Sequence, residues 1–227
     1  MRKQRSISQQ FGATAKWLHW LVAFLMLSVL SAAWSFAFTA PADRAGAIPV
    51  HVSIGLIVVL LTLTRIAWRK ADPPPEIPPA TPRWMQRGAR IGHLLLYALI
   101  LVQGVLGIWM AALSPLDIRL FNGFNLSELA PASAGSVAGL RQIHFAVAVL
   151  LTATIFGHVV AALWHHFVLR DDVLQRMLPF GGLWQRLGAP HRAMAKRFPS
   201  QRFQHWPKRW GPKNGESENL SKEPRPQ

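Results

Sequence analysis

The sequence IHFAVAVLLTATIFGHVVAALWHHFV, residues 143–168, contains no Asp, Glu, Lys or Arg. A helix that crosses the hydrocarbon core of a bilayer, about 30 Å thick, needs roughly 20 mainly apolar residues, so this stretch is long enough to span a membrane. Three more apolar runs precede it, at residues 16–38, 50–68 and 91–113. The chain is therefore predicted to be all-α, an integral membrane four-helix bundle, whose helices we number 1 to 4 in chain order.

The basic residues are segregated between the two sides of this predicted bundle, and the formal net charge is +15. The tail is basic, and so are the N-terminus and second connection, with Arg2, Lys3, Arg5, Lys16, Arg69, Lys70, Arg83, Arg87 and Arg90. The first and third connections contain only Arg44 and Arg119, with Arg141 at the edge of helix 4. The positive-inside rule then predicts cytoplasmic N- and C-termini, with the first and third connections outside. Because the charge is explained by topology, no nucleic-acid partner is expected.

Cysteine is absent from the sequence. Disulfides, iron–sulfur clusters, thiolate-ligated haem and the covalent haem attachment of c-type cytochromes all need cysteine, so these are excluded. Any haem in this chain must be held by other ligands.

Helix 1 has one alternative interpretation, a cleaved signal peptide. Basic residues precede the apolar residues 21–30, and small residues follow at 31–33. We favour a transmembrane helix, because the apolar stretch continues through Trp34, Phe36 and Phe38 and because cleavage would remove His19.

The membrane domain is predicted to cover residues 1–178. Between helices 2 and 3 the run ADPPPEIPPATP, residues 71–82, has too many prolines to be helical and is expected to form an extended cytoplasmic strap. The connection at residues 114–140 has room for a short surface helix on the outer side. Residues 179–227 lack apolar periodicity and are predicted to be a basic, largely irregular cytoplasmic tail that binds anionic membrane lipid.

Five of the nine histidines lie inside the predicted helices, clear of the far end of helix 4: His19, His51, His93, His144 and His158. Ionisable residues at membrane depth cost several kcal/mol unless paired, so they are functional candidates. Because helices alternate in direction, His19 and His93 lie near inner ends, whereas His51 and His144 lie near outer ends. His158 follows His144 by 14 positions, which places it about 21 Å deeper and within about 40° of the same face. The histidines thus form two layers.

Two layers of histidine match the needs of two stacked haems, one near each membrane surface, which take four axial nitrogens at two depths. Zinc or copper would not require that span. Two redox centres at separate depths are also what electron transfer across a membrane needs, since electrons tunnel efficiently only over modest distances.

Several further residues have two interpretations. Four glycines lie near the histidines: Gly55, Gly104, Gly107 and Gly157. They either leave room for a flat macrocycle or allow the helices to pack closely. The remaining histidines are interpreted as interfacial, for His165 and His166, or as tail residues without a redox role, for His191 and His205.

Five stretches place these histidines among characteristic neighbours. They are LHWLVA at 18–23, HVSIGLIVVLLTLTRIAWR at 51–69, GHLLLYALI at 92–100, QIHFAVAVL at 142–150 and GHVVAALWHHFVLRDDVLQRMLP at 157–179. Together they resemble the bacterial cytochrome b561 family of small di-haem, quinone-linked membrane cytochromes. The resemblance covers about residues 6–179, and the basic tail departs from it.

The resemblance implies that the cofactors are two haem b groups with axial ligands from helices 1, 2 and 4. Carried over by position, His19 and His158 hold the iron of the inner haem. His51 and His144 hold the iron of the outer haem.

Two other residues are implied as contacts and not as ligands. His93 matches a histidine that the family often has without using it as an axial ligand, so it is expected to contact a haem propionate or a quinone, although it remains a contender against His19. Arg65 is predicted near the inner end of helix 2, at the level expected for haem propionates, or else it is a positive-inside anchor.

The resemblance implies an oxidoreductase of the bacterial inner membrane. Its function would be electron transfer between an outer-face one-electron donor or acceptor and the membrane quinone pool. Filling both axial positions with histidine leaves the iron no open site, which favours electron transfer over oxygen binding. The alternative is a haem b membrane-anchor and electron-relay subunit of a dehydrogenase or hydrogenase complex.

Some family members oxidise superoxide and reduce ubiquinone, so superoxide is a candidate outer-face donor. Arg44, Arg119 and Arg141 either attract this anion or are ordinary loop residues, and no catalytic residue is assigned.

Overall fold

Four long helices make up most of the chain that the computed structural model describes, which is residues 10–36, 38–44, 46–75, 82–121 and 123–179. They are α1 (Ala13–Ser35), α3 (Ala47–Ala71), α4 (Arg83–Ala112) and α5 (Ala134–Trp164). Each is long and apolar enough to cross a membrane. The short helices α2 (Pro41–Arg44) and α6 (Val173–Met177) follow α1 and α5. The prediction of an all-α membrane four-helix bundle is confirmed.

All four long helices begin earlier than the apolar runs that predicted them, and α4 and α5 do so by the most, eight and nine residues. The segment RWMQRGAR at 83–90 continues α4 below its apolar part, and Pro82 precedes it with extended dihedral angles, φ −56° and ψ 143°. The Ser133 hydroxyl caps α5 by accepting the Ser136 N–H at 3.4 Å. Hydropathy detects only the part of a helix that suits lipid, so polar extensions of this kind escape it.

The helices pack in chain order, α1 on α3, α3 on α4, and α4 on α5. Along α1 and α5, contacts between long side chains join the two helices, such as the edge-to-face pair of Trp34 and Phe145 with ring centres 6.0 Å apart. Many large apolar side chains point outward, including Phe24, Leu94 and Phe156 at 68–70% exposure. Outward apolar side chains are stable where lipid, and not water, surrounds the bundle.

A small β-hairpin lies in the connection between α4 and α5, which the sequence analysis considered long enough for a short surface helix. Strand β1 (Arg119–Leu120) pairs antiparallel with β2 (Phe124–Asn125), and a three-residue 3₁₀ turn follows. Phe121 has a positive φ of 50° at the hairpin tip. Its N–H donates to the Ser53 hydroxyl at 3.1 Å, which ties the hairpin to α3 two residues after His51.

The far end of α5 continues as a π-helical turn, His165–Leu169, and then reverses direction. Arg170 adopts the left-handed conformation, φ 54°, that commonly ends a helix. The chain then returns to α1, where the Trp20 indole donates to the Met177 carbonyl at 2.9 Å.

Two predicted features lie largely outside the described residues. The predicted basic tail at 179–227 falls outside them from residue 180 onward, together with His191 and His205. In the proline-rich run at 71–82, residues 76–81 also fall outside the described residues. Its first residue, Ala71, is the last residue of α3.

Candidate functional site

Three predicted histidines come together at the end of the bundle where the chain enters α1 and leaves α5. The ring centre of His158 lies 6.3 Å from that of His19 and 5.4 Å from that of His93, with 72° between the planes in both pairs. The three rings, from α1, α4 and α5, are called the terminal layer below. All three are partly buried.

The other two histidines lie toward the end of the bundle that carries the β-hairpin, and they are called the hairpin layer. The rings of His51 on α3 and His144 on α5 are within electrostatic range of each other. The Phe36 ring centre is 5.7 Å from that of His51. A Cβ added at Gly107 would lie 3.3 Å from Cε1 of His144, so the glycine makes room for this imidazole.

A buried apolar cluster occupies the level between the two layers. The first layer histidine of each long helix is followed seven positions later by a buried member of this cluster. The pairs are His19 and Met26, His51 and Val58, His93 and Ile100, and His144 and Leu151. Seven residues make almost two helical turns, so the partner lies on nearly the same face about 10.5 Å away. On α5 the pattern repeats, because His158 lies seven positions beyond Leu151. The seven-residue spacing is visible in the sequence and is the signal from which this cluster could be predicted.

The ring nitrogens of these histidines are suited to binding a metal. In His93, Nδ1 lies 2.6 Å from the Ala89 carbonyl, which can accept its proton and leave Nε2 with a free lone pair. In His51 and His144, Nδ1 is buried and forms no hydrogen bond within the described part of the chain. The backbone of Val29 lies near the His51 ring. Buried polar atoms are normally paired, so these two rings have unused capacity for a bound group.

A cation stands beside the terminal layer. Arg65 lies within electrostatic range of His19, His93 and His158. Its Nε donates to the Tyr97 hydroxyl at 3.2 Å, and its terminal amino group donates to the Ala15 carbonyl at 3.4 Å. Arg65 also lines an open surface cleft together with Phe11 and Trp68. The guanidinium of Arg65 is thus hydrogen-bonded to both α4 and α1.

His165 is part of the turn that ends α5 and is held away from both layers by a local pair. Its Nδ1 lies 2.5 Å from a carboxylate oxygen of Asp171, the other oxygen of which accepts the Val173 N–H. This placement agrees with the interfacial interpretation of His165.

Two of the arginines on the hairpin side have local partners. Arg119 forms an exposed ion pair with Asp117 at 3.0 Å, which reduces its field. The Nε of Arg44 donates to the Thr39 carbonyl at 2.8 Å. Arg141 is exposed. These contacts favour the ordinary loop interpretation for Arg119 and Arg44.

Comparison with known proteins gives concordant matches. The profile of the family described as Prokaryotic cytochrome b561 matches residues 10–180. Cytochrome b561 homolog 2 of Escherichia coli (strain K12) is 29% identical over 174 residues, which cover 75% of this chain and 92% of the relative. Cytochrome b561 homolog 1 of the same organism is 29% identical over 173 residues, covering 75% and 97%. The probable superoxide oxidase CybB of Yersinia pestis is 28% identical over 162 residues, covering 71% and 92%.

Proposed function

This chain belongs to the prokaryotic cytochrome b561 family, and we propose that it carries single electrons across the bilayer between a one-electron donor or acceptor at the hairpin end and quinone at the terminal end. It is a multi-pass protein of the bacterial inner membrane and an oxidoreductase that uses b-type haem. The termini are placed in the cytoplasm in this proposal, on the charge asymmetry of the connections.

The observation that carries the proposal is the pair of histidine layers with an apolar cluster between them. In the terminal layer, His19 and His158 would hold one haem. In the hairpin layer, His51 and His144 would hold the other. Two imidazoles on opposite sides of one metal have ring centres roughly 6 Å apart, given metal–nitrogen bonds of about 2 Å. The 6.3 Å separation of His19 and His158 fits this requirement.

A bound haem supplies an iron that accepts and releases one electron. The side chains of this chain determine how each haem would be ligated and how far apart the two haems would lie. If two histidines hold each haem, the iron would have no open site for oxygen. The apolar cluster of Met26, Val58 and Leu151 separates the layers, and the helices on which the histidines lie keep their separation constant.

His93 would have a supporting role at the terminal layer. Its ring centre is 5.4 Å from that of His158, slightly closer than two axial imidazoles on one iron. The position of His93 suits contact with a haem propionate or with quinone. His93 remains a contender against His19 as a ligand, and mutation of each histidine in turn distinguishes the two.

Superoxide is the proposed donor, on the support of the relative named as a probable superoxide oxidase. The test is an assay of the purified protein in detergent with a short-chain ubiquinone and a steady superoxide source, following haem absorbance and superoxide loss together. We expect superoxide loss that depends on quinone and disappears in His144→Ala. Reduction of haem by quinol without superoxide loss would discard superoxide and keep the quinone link.

The relay-subunit alternative makes the opposite prediction in this assay. It predicts that the purified chain has no quinone-dependent activity by itself. It also predicts that the chain co-purifies stably with a soluble dehydrogenase or hydrogenase. No observation described above favours it.

Arg65→Gln is expected to lower the midpoint potential of the terminal-layer haem by several tens of millivolts. A positive charge stabilises the added electron, and a unit charge about 10 Å away at an effective dielectric constant of about 20 contributes about 1.7 kcal/mol, before further screening by water. Redox titration followed by visible spectroscopy measures the shift. Tyr97→Phe, which keeps the charge and removes one hydrogen bond, should shift the potential less. Equal potentials in Arg65→Gln and the wild type would favour the anchor interpretation.

A further inference from the structure

One buried hydroxyl in the spanning helices is not paired in the usual way. Ser28, Thr64, Thr152 and Thr154 each donate to the carbonyl four residues earlier, at 2.7–3.0 Å. Thr62 on α3 is only 1% exposed, yet its Oγ1 forms no hydrogen bond to any described residue. Its hydroxyl is therefore available to another partner inside the bundle.

A second unpaired oxygen lies on the neighbouring helix. Oε1 of Gln103 on α4 is buried and likewise has no hydrogen-bond partner within the described ranges. Gln103 adjoins Gly104, where α3 and α4 come so close that an added Cβ would overlap Cγ2 of Val59. The contact of Val59 with Gly104 therefore sets the relative depth of the two unpaired oxygens.

The two oxygens lie at nearly the same depth. Because α3 and α4 are antiparallel, Thr62 and Gln103 both lie on the terminal side of the contact. Thr62 is three residues beyond Val59, about 4.5 Å, and Gln103 is one residue before Gly104, about 1.5 Å, so they differ by about 3 Å in depth. Both therefore lie between the two histidine layers, at the level of the apolar cluster that includes Val58.

Two unpaired oxygens at this depth are costly in an apolar region. A buried polar group that lacks a hydrogen bond destabilises the folded protein. A buried water relieves this cost when it finds two to four polar partners. A threonine hydroxyl can donate and accept, and a glutamine oxygen accepts two hydrogen bonds, so together they offer a water enough partners.

We propose that Thr62 and Gln103 bind one water molecule between α3 and α4, midway between the histidine layers. The water accepts a hydrogen bond from the Thr62 hydroxyl and donates one to Oε1 of Gln103. This site does not depend on the identity of the electron donor or on the number of haems. It places a polar group inside the cluster that otherwise insulates one layer from the other.

The test is a crystal structure of the full-length protein at a resolution that shows ordered water, together with the same structure of Thr62→Val. We expect one water within about 2.7–3.2 Å of both oxygens, and its absence from Thr62→Val. Thr64→Val is the matched control, since that hydroxyl is exposed and bonded to the Leu60 carbonyl, and it should keep the water. Thr62→Ser retains the hydroxyl and should keep it as well.

A thermal-unfolding cycle with Gln103→Leu gives a second measurement. Each single variant leaves one oxygen without its partner and should lower the unfolding midpoint by about 2 to 4 °C. The double variant removes both oxygens and should recover part of that loss, since replacing both partners by apolar groups is nearly neutral. The proposal would be overturned by a crystal structure in which Thr62 bonds directly to Gln103 or to a carbonyl of its own helix. It would also be overturned if the decrease in unfolding midpoint of the double variant equalled the sum of the two single decreases.

Discussion

Purified His158→Ala and His144→Ala proteins are each expected to contain about one haem per chain, against the two that we propose for the wild type. Each change would remove one of the two histidines proposed to hold one haem, and a haem left with a single histidine should be lost during purification. Because the two residues belong to different layers, the haem that remains should differ between the variants. Haem quantification per polypeptide and redox titration measure the content and identify the surviving component.

His165→Ala is the matched control for this experiment. His165 continues the same helix seven residues beyond His158, but its Nδ1 pairs with Asp171. We expect this variant to keep both haems. Full two-haem content in His158→Ala or His144→Ala would refute the ligand assignment, as would loss of a haem from His165→Ala.

The same measurement decides between His19 and His93. His19→Ala should lose one haem. His93→Ala should keep two, with a change in the spectrum or potential of the terminal-layer haem. The reverse result would make His93 the ligand opposite His158, which its hydrogen bond to Ala89 and its short distance to His158 both permit.

Gly104→Ala is expected to destabilise the protein by about 1 to 2 kcal/mol, although alanine usually favours a helix over glycine by about 0.5 to 1 kcal/mol. The added methyl group would overlap Cγ2 of Val59, a β-branched side chain with few alternative rotamers, so α3 and α4 would have to separate. Thermal unfolding in detergent, followed by circular dichroism, measures the loss.

Val59→Ala provides the compensating change. By itself it removes packing and should lower stability, but combined with Gly104→Ala it removes the overlap and should raise stability relative to Gly104→Ala. Gly139→Ala on α5 is the control, because an added Cβ there meets no atom within 4 Å, and it should be neutral or stabilising. If Gly104→Ala were as harmless as Gly139→Ala, the close contact of α3 with α4 would be refuted.

The sequence alone determined the four spans, the two depths of histidine and the family. These features depend on local rules. The length of an apolar run reports a membrane crossing, and a helix rises 1.5 Å per residue, so the spacing of His144 and His158 on one helix gives a depth difference without any tertiary information. The seven-residue spacing of His51 to Val58, or of His144 to Leu151, is equally local and was open to the same reasoning.

Only the tertiary structure decided which faces meet. In α5 apolar residues lie all around the helix, and lipid is as apolar as the bundle interior, so periodicity cannot show which side faces a neighbour. The approach of His93 to His158 as well as His19, the bonds of Arg65 to Tyr97 and Ala15, and the contact of Gly104 with Val59 all depend on the rotation of one helix against another. That rotation is set by the packing of side chains from several helices at once, which no single segment of the sequence contains.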